Sequence, residues 1–153
     1  RGMLFWLMGD LGQSTQWWSP LAALVVALTL AMPFARELNL LSRGMMQAQA
    51  LGVAVGRLRY AIYLLASLAT AASVTTAGSI GFVGLVVPHL VRLATGNDQR
   101  LLLPASVLAG GSLLVLADTL ARTLIAPQQL PVGVLTALIG VPVFLFLLSR
   151  QPR

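Results

Sequence analysis

Apolar positions along the chain gather into four long runs separated by short polar breaks. They read Pro20 to about Phe34, Tyr60 to about Ala77, Leu101 to about Ile125, and Val132 to Leu148. Each approaches the ~20 residues a helix needs to cross a bilayer, and polar residues are too sparse within them to define a solvent face. A fifth apolar stretch, Gly2 to Met8, is too short to span and reads as the second half of a helix. The polar loop Asp10 to Ser19 follows it, with Trp17 and Trp18 where interfacial aromatics sit. Pro20 suits a helix first turn, where its missing N–H costs nothing. The pattern predicts an all-α, polytopic transmembrane bundle of four full spans, one half-span and one broken short helix. Because the chain starts at Arg1 inside that half-span, we read it as the C-terminal part of a longer polypeptide.

Two stretches depart from simple spans. Arg36 to Arg59 is moderately polar and carries four arginines. Within it, Met45 to Leu51 reads as a short amphipathic helix outside the membrane, bounded by Gly44 and Gly52. The second stretch follows Ala77, where Gly78, Gly81 and Gly84 precede Pro88 and His89. Three glycines and a proline suit no straight helix, and irregular backbone at membrane depth is tolerated only where protein or a cavity shelters it. The expected form is a glycine-rich irregular segment, then a short helix from about Pro88 to Thr95, then a loop holding Asn97 and Asp98. The Gly52–Gly56 spacing straddles polar sequence, so Gly110 and Gly111 in the third run are the better close-packing candidates.

Composition narrows the function. The chain is 58% hydrophobic and 9% charged, with a mean hydropathy of +0.87, which excludes an ordinary soluble globule and disorder alike. There is no cysteine, hence no disulfide or thiolate chemistry. All ten basic residues are arginine, so the chain supplies neither a phosphate-loop lysine nor a Schiff base. His89 is the single histidine, and the carboxylates Asp10, Glu37, Asp98 and Asp118 stand far apart in sequence, a poor basis for an enzyme or a metal site. The net charge of +6 would suggest nucleic acid in a soluble protein. Here the arginines flank apolar runs, which is topology placement, and no nucleic-acid partner is expected.

Those arginines choose between two topologies. If the glycine-rich element crosses the membrane, Arg36, Arg43, Arg57, Arg59, Arg92, Arg100, Arg150 and Arg153 share one side and Arg122 lies near the other. A re-entrant hairpin would split the set. The positive-inside rule prefers the crossing, with the large set and the C-terminus cytoplasmic. Arg100 to Asp118 then spans about 27 Å of helix, which brings Asp118 and Arg122 near the outer face. Their i, i+4 spacing lets them pair. Arg122 either presents a charge to an extracytoplasmic partner or closes an internal ion pair, and spacing alone leaves both open. His89 is either a relay or a packed, hydrogen-bonded side chain.

The order of short motifs adds a resemblance. Gly78 to Arg92 (GSIGFVGLVVPHLVR) is similar to the hallmark of permease subunits of FecCD-type ABC importers, which carry iron–siderophore complexes, haem or vitamin B12. Leu38–Gly44 and Ala50–Gly52 precede it. Gly96–Pro104, Leu116–Arg122, Leu130–Val134 and Gly140–Phe144 follow in matching order. The resemblance covers essentially the whole chain. It implies the type II importer permease fold of about ten helices, this chain holding the end of the fifth and helices six to ten of a single transmembrane domain. It implies a dimer of permease subunits, two separate ATP-binding subunits that hydrolyse ATP, and an extracytoplasmic substrate-binding protein. No bound cofactor is expected.

Under that resemblance residues 39–53 form the segment that couples to the ATPase, through Asn39, Gly44, Met45, Ala48, Leu51 and Gly52. Arg122, beside Asp118, meets the binding protein. Gly78, Gly81, Phe82, Gly84, Pro88 and His89 form the broken-element motif. Met45 stands where the family carries Glu, and Arg43 where an apolar residue is common, so a coupling-loop acid is missing. The rivals are an ABC permease for free metal ions, a secondary transporter, which would want a carboxylate in mid-span, and a membrane subunit without transport.

Overall fold

The computed structural model describes residues 7–9, 11–13, 17–123 and 130–149. Most of the predicted half-span, Asp10, Ile125, Pro127 and the arginine tail lie outside the described residues. Within them every regular element is helical. Helix α1 (Trp18–Ala31) passes through a 3-10 turn (Met32–Phe34) into α2 (Ala35–Leu41). The first span therefore does not end near Phe34. Pro33 removes only one N–H, and the tighter i→i+3 bonding of the turn carries the axis onward, as the Ala35 N–H to Met32 carbonyl bond shows. Arg36 thus belongs to the end of a helix running Trp18–Leu41, not to the stretch beyond it.

Helix α3 (Met45–Ala50) is the expected short element. Gly44 opens it at φ 129° and Gly52 closes it at φ 84°. Val53 N–H bonds the Ala48 carbonyl and Gly52 N–H the Gln49 carbonyl, both at 3.0 Å, a complete Schellman stop that needs the left-handed backbone glycine adopts freely. Leu51 is thereby the cap, one residue beyond the helix. Helix α4 (Val55–Ala77) takes Arg57 and Arg59 into its first turns. Helices α5 (Val83–Thr95), α6 (Gln99–Thr123) and α7 (Val132–Ser149) complete the order.

Helix α5 begins five residues before the expected Pro88. Pro88 lies inside it, where its missing N–H leaves only the Gly84 carbonyl without a helical donor. The irregular stretch shrinks to Gly78–Phe82, with Phe82 in the left-handed region at φ 66°. Thirteen helical residues rise about 20 Å, and the segment before them supplies the rest of a crossing. The two ends of this unit lie at opposite ends of the bundle. Ser79 Oγ donates to the Leu7 carbonyl at 2.6 Å at one end of the bundle, and Asp98, just past α5, is bonded to Asn39 of α2 at the other. That placement is the one the crossing topology expects, and not the one a hairpin expects.

Four helical stretches are long and apolar enough to span: Trp18–Leu41, Val55–Ala77, Gln99–Thr123 and Val132–Ser149. Leu64, Leu68, Leu108, Val115 and Leu138 all point outward, more than 60% exposed, as suits a hydrocarbon surround. Most span hydroxyls fold back onto their own helices, though Ser106 Oγ on α6 is buried without a partner among the described residues. Thr29, Thr70, Ser73, Thr75, Ser112 and Thr119 each donate to the carbonyl four residues earlier, which satisfies them without water.

Packing divides the helices into two groups. Helices α5, α6 and α7 pack on one another, α1 packs on α4, and α2 reaches across to α6. The first group holds the core of Ala117, Ala121 and Val132. Gly110 is buried and faces Val83 and Val87 there, whereas Gly111 meets nothing. Between the groups lies an apolar crevice of about 230 Å³, walled by Leu24 and Leu28 of α1, Leu65 and Ala69 of α4, and Leu103 and Val107 of α6.

Candidate functional site

Two sites emerge at opposite ends of α6. At its N-terminal end, Asp98 precedes the first helical residue. Its carboxylate accepts from the Arg100 N–H at 3.0 Å, and its carbonyl accepts the Leu102 N–H at 2.9 Å. This is an N-cap, placed where four backbone donors would otherwise lack partners. Asn39, at the end of α2, completes it. Its Oδ1 accepts the Gln99 N–H and its Nδ2 donates to Asp98 Oδ1, both at 2.8 Å.

The Asn39 hydrogen bond first, and the Arg100 backbone bond after it, hold the Asp98 carboxyl below the usual carboxylate range. A lowered folded-state pKa contributes stability that is present above the ordinary value, about 3.9, and is lost as pH falls through the folded value. The melting temperature of the solubilised protein should therefore fall more steeply below about pH 4 than that of Asp98→Asn. Parallel profiles would deny the carboxylate this contribution.

From Asn39 the backbone stays bonded into α3. Ser42 N–H bonds Leu38 at 2.9 Å, Gly44 N–H bonds Leu41 at 3.1 Å, and Ala48 N–H bonds Gly44 at 3.0 Å. Ser42 Oγ donates to the Asn39 carbonyl at 2.8 Å. Helix α3 rests on Ala48, which is fully buried, and presents Met46 (84% exposed), Met45 and Leu51 outward. Arg59 lies beside it, its guanidinium 3.9 Å from Met45 Sδ. Asn39, Ser42, Arg43, Asn97 and Asp98 enclose a polar recess of about 350 Å³.

At the far end of α6, Arg122 Nε donates to Asp118 Oδ2 at 2.8 Å, with both side chains partly exposed. The broken-element residues divide. Gly78 is buried at this end and stops α4 at φ 73°. Phe82 packs against Gly140 of α7, while Gly81 and Gly84 have open space where a side chain would be. Pro88 and His89 lie further along α5, both half-buried, and are not drawn into the Gly78–Phe82 bend. Among the described residues no group of three His, Asp or Glu side chains could hold a metal ion.

Two residues stand out that sequence reasoning did not single out. Met46 is the most exposed large side chain of α3. Asp98 had a readable signal, an Asp directly before an apolar helical run, but its partner Asn39 lies 59 residues away.

Comparison with known proteins agrees with this architecture. The chain is 48% identical to the hemin transport system permease protein HmuU of Yersinia pestis, covering 99% of this chain and 46% of that one. It is 49% identical to the cobalamin import system permease protein BtuC of Halobacterium salinarum, covering 100% and 42%. It is 46% identical to the Fe(3+) dicitrate transport system permease protein FecD of Escherichia coli, covering 97% and 47%. The chain thus spans somewhat under half the length of these curated relatives. A solved ABC transporter of metal-chelate type, in an inward-facing conformation, superposes with a TM-score of 0.88 at 35% identity, over 98% of this chain and 49% of that one. The family model described as the FecCD transport family matches residues 1–150, and with the helix order and the ordered motifs in agreement, the chain belongs to the FecCD transport family.

Proposed function

We propose that this chain is the C-terminal part of the permease subunit of an ATP-binding cassette importer in the cytoplasmic membrane, and that its cargo is an iron chelate, haem or cobalamin. The observation that carries the reading is α3, a capped helix beyond the ends of the spans that offers Met45, Met46 and Leu51 outward at the opposite end of the bundle from Arg122. Such a helix suits a docking surface for an ATP-binding subunit, one for each permease of a dimer, which supplies the hydrolysis this chain has no lysine to support. The importer relatives and the metal-chelate neighbour support the cargo class.

In this reading the permease works as a dimer with the α3 end and the C-terminus cytoplasmic, and transport proceeds by alternating access. Residues 39–53 relay ATPase movement, and Gly78–Phe82 shapes the outer part of the crossing. Arg122, oriented by Asp118, meets an acidic group on an extracytoplasmic binding protein.

The test is ATP-driven uptake of haem, cobalamin and ferric citrate by proteoliposomes holding the full-length permease, its ATP-binding subunits and its binding protein. One cargo should accumulate only with ATP. Arg122→Glu should weaken binding-protein affinity on the order of tenfold, and its residual binding should lose much of its salt dependence. Absence of uptake of all three cargoes would overturn the cargo class, and an unchanged affinity would return Arg122 to an internal ion pair.

A further inference from the structure

Asn39 is grouped by sequence with the docking residues, yet its side chain is occupied within the chain. One amide group serves two partners on the far side of a helix junction, and reaches a third through one of them. It accepts from the Gln99 N–H, donates to Asp98, and through Asp98 is linked to the Arg100 N–H. The junction lies where the two packing groups come together. Along the spans they are held apart by the apolar crevice, and toward the other end by a groove of about 620 Å³ between Thr70, Ser73 and Ala77 of α4 and Ile80, Val83 and Gly84 on and before α5. Helix α2 continues α1 of one group and touches α6 of the other, and its Asn39 bonds are directional where the spans offer only apolar contact.

On one side of this junction the bonded backbone runs through Ser42 and Gly44 into α3. On the other, α6 runs for 25 residues and carries the Asp118–Arg122 pair near its far end, about 28 to 35 Å from Gln99 at helical rise. Pro104 in its second turn removes one backbone bond, and the helix beyond it carries a displacement of the first turn toward the pair.

We propose that Asn39 and Asp98 form the joint through which displacement of α3 reaches α6, making Asn39 a positioning residue that acts through α6 and not a contact for the ATPase. The joint rests on the permease reading above. It works because it is a side-chain pair with matched donor and acceptor: a push on α3 shifts the last turn of α2, and the two 2.8 Å bonds oblige the α6 N-terminus to follow. Coupling between sites is commonly worth about five- to 150-fold in binding affinity, which sets the scale of effect to look for here.

The experiment is a charge-swap cycle in the full-length permease assembled with its ATP-binding subunits and binding protein. Asn39→Asp sets two carboxylates against each other and removes the donor. It should lower uptake per ATP hydrolysed on the order of tenfold while the ATP-binding subunits still co-purify. Asp98→Asn in the same chain restores a donor opposite the new acceptor, so the double variant Asn39→Asp/Asp98→Asn should regain uptake per ATP to within about twofold of wild type.

A role in folding alone would lower yield without changing that ratio. Unchanged uptake per ATP in Asn39→Asp, a double variant no better than the single, or loss of co-purification would each overturn the joint. Met46→Glu separates this outcome from failure of the permease reading. If it abolishes docking while Asn39→Asp transports normally, the joint alone is wrong. If Met46→Glu also docks and transports normally, the docking role of α3 fails, and with it the joint.

Discussion

Replacing Gly133 by alanine is expected to destabilise the protein by about 3 kcal/mol, at the upper end of what overpacking costs. Gly133 opens the second residue of α7, and a methyl group there would overlap the Met8 carbonyl and approach the Ser79 carbonyl at 3.1 Å. Both obstacles are backbone, so no side chain can rotate away. Three segments meet at this point. Gly9, at φ 81°, sits against Ile80 and Ser79 and within 3.4 Å of the Gly133 nitrogen for an added Cβ, and Ser79 ties in Leu7. Moving α7 to admit a methyl therefore moves the Gly78–Phe82 segment with it. Gly56→Ala is the control, since nothing lies within 4 Å of its position near the start of α4. It should change stability by no more than about 1 kcal/mol, toward stabilisation. Thermal unfolding of both variants in detergent checks the pair, and an unaltered midpoint for Gly133→Ala would mean that the three segments do not meet as described.

Met46→Glu should nearly abolish association with the ATP-binding subunits. Met46 is 84% exposed, so the isolated permease loses almost nothing by the change. A methionine seated in a partner is apolar contact, and a carboxylate in its place must be stripped of water without a partner. A central interface side chain of this kind is worth roughly 2–4 kcal/mol, on the order of a hundredfold in Kd. Ala48→Glu makes the contrast. Ala48 is fully buried, so that variant should misfold α3 itself, and melting separates the two effects. Binding of Met46→Glu at wild-type affinity would remove α3 from the docking surface.

The spans and α3 were legible because their signals are local. Apolar runs mark the four spanning helices, and Gly44 and Gly52 bracket α3 where the backbone takes positive φ. The errors arose at prolines. Pro33 reads as a stop and Pro88 as a first turn, since sequence reveals the lost N–H but not whether the neighbouring turns can carry the axis past it. Here a 3-10 turn carries it past Pro33, and α5 absorbs Pro88 internally. Arg36 reads as lying beyond the first span for the same reason. The candidate site was legible only in part. Asp118 and Arg122 lie one turn apart, so their pairing can be read from spacing. Asn39 and Asp98, or Gly133 and Met8, meet only because of how whole helices pack, and no local pattern carries that information.

The inward-turned hydroxyls of the spans have a mechanical meaning. A helix whose serines and threonines bond to its neighbours is ratcheted, since each step along the neighbour must break one bond before making the next. Thr70, Ser73 and Thr75 on α4, and Ser112 and Thr119 on α6, are instead committed to their own carbonyls. Sliding or tilting these helices unlatches none of those bonds. Movement between these helices is therefore opposed by the shape of their apolar surfaces more than by directional bonds, and the directional bonds that join α2 to α6 are gathered at Asn39.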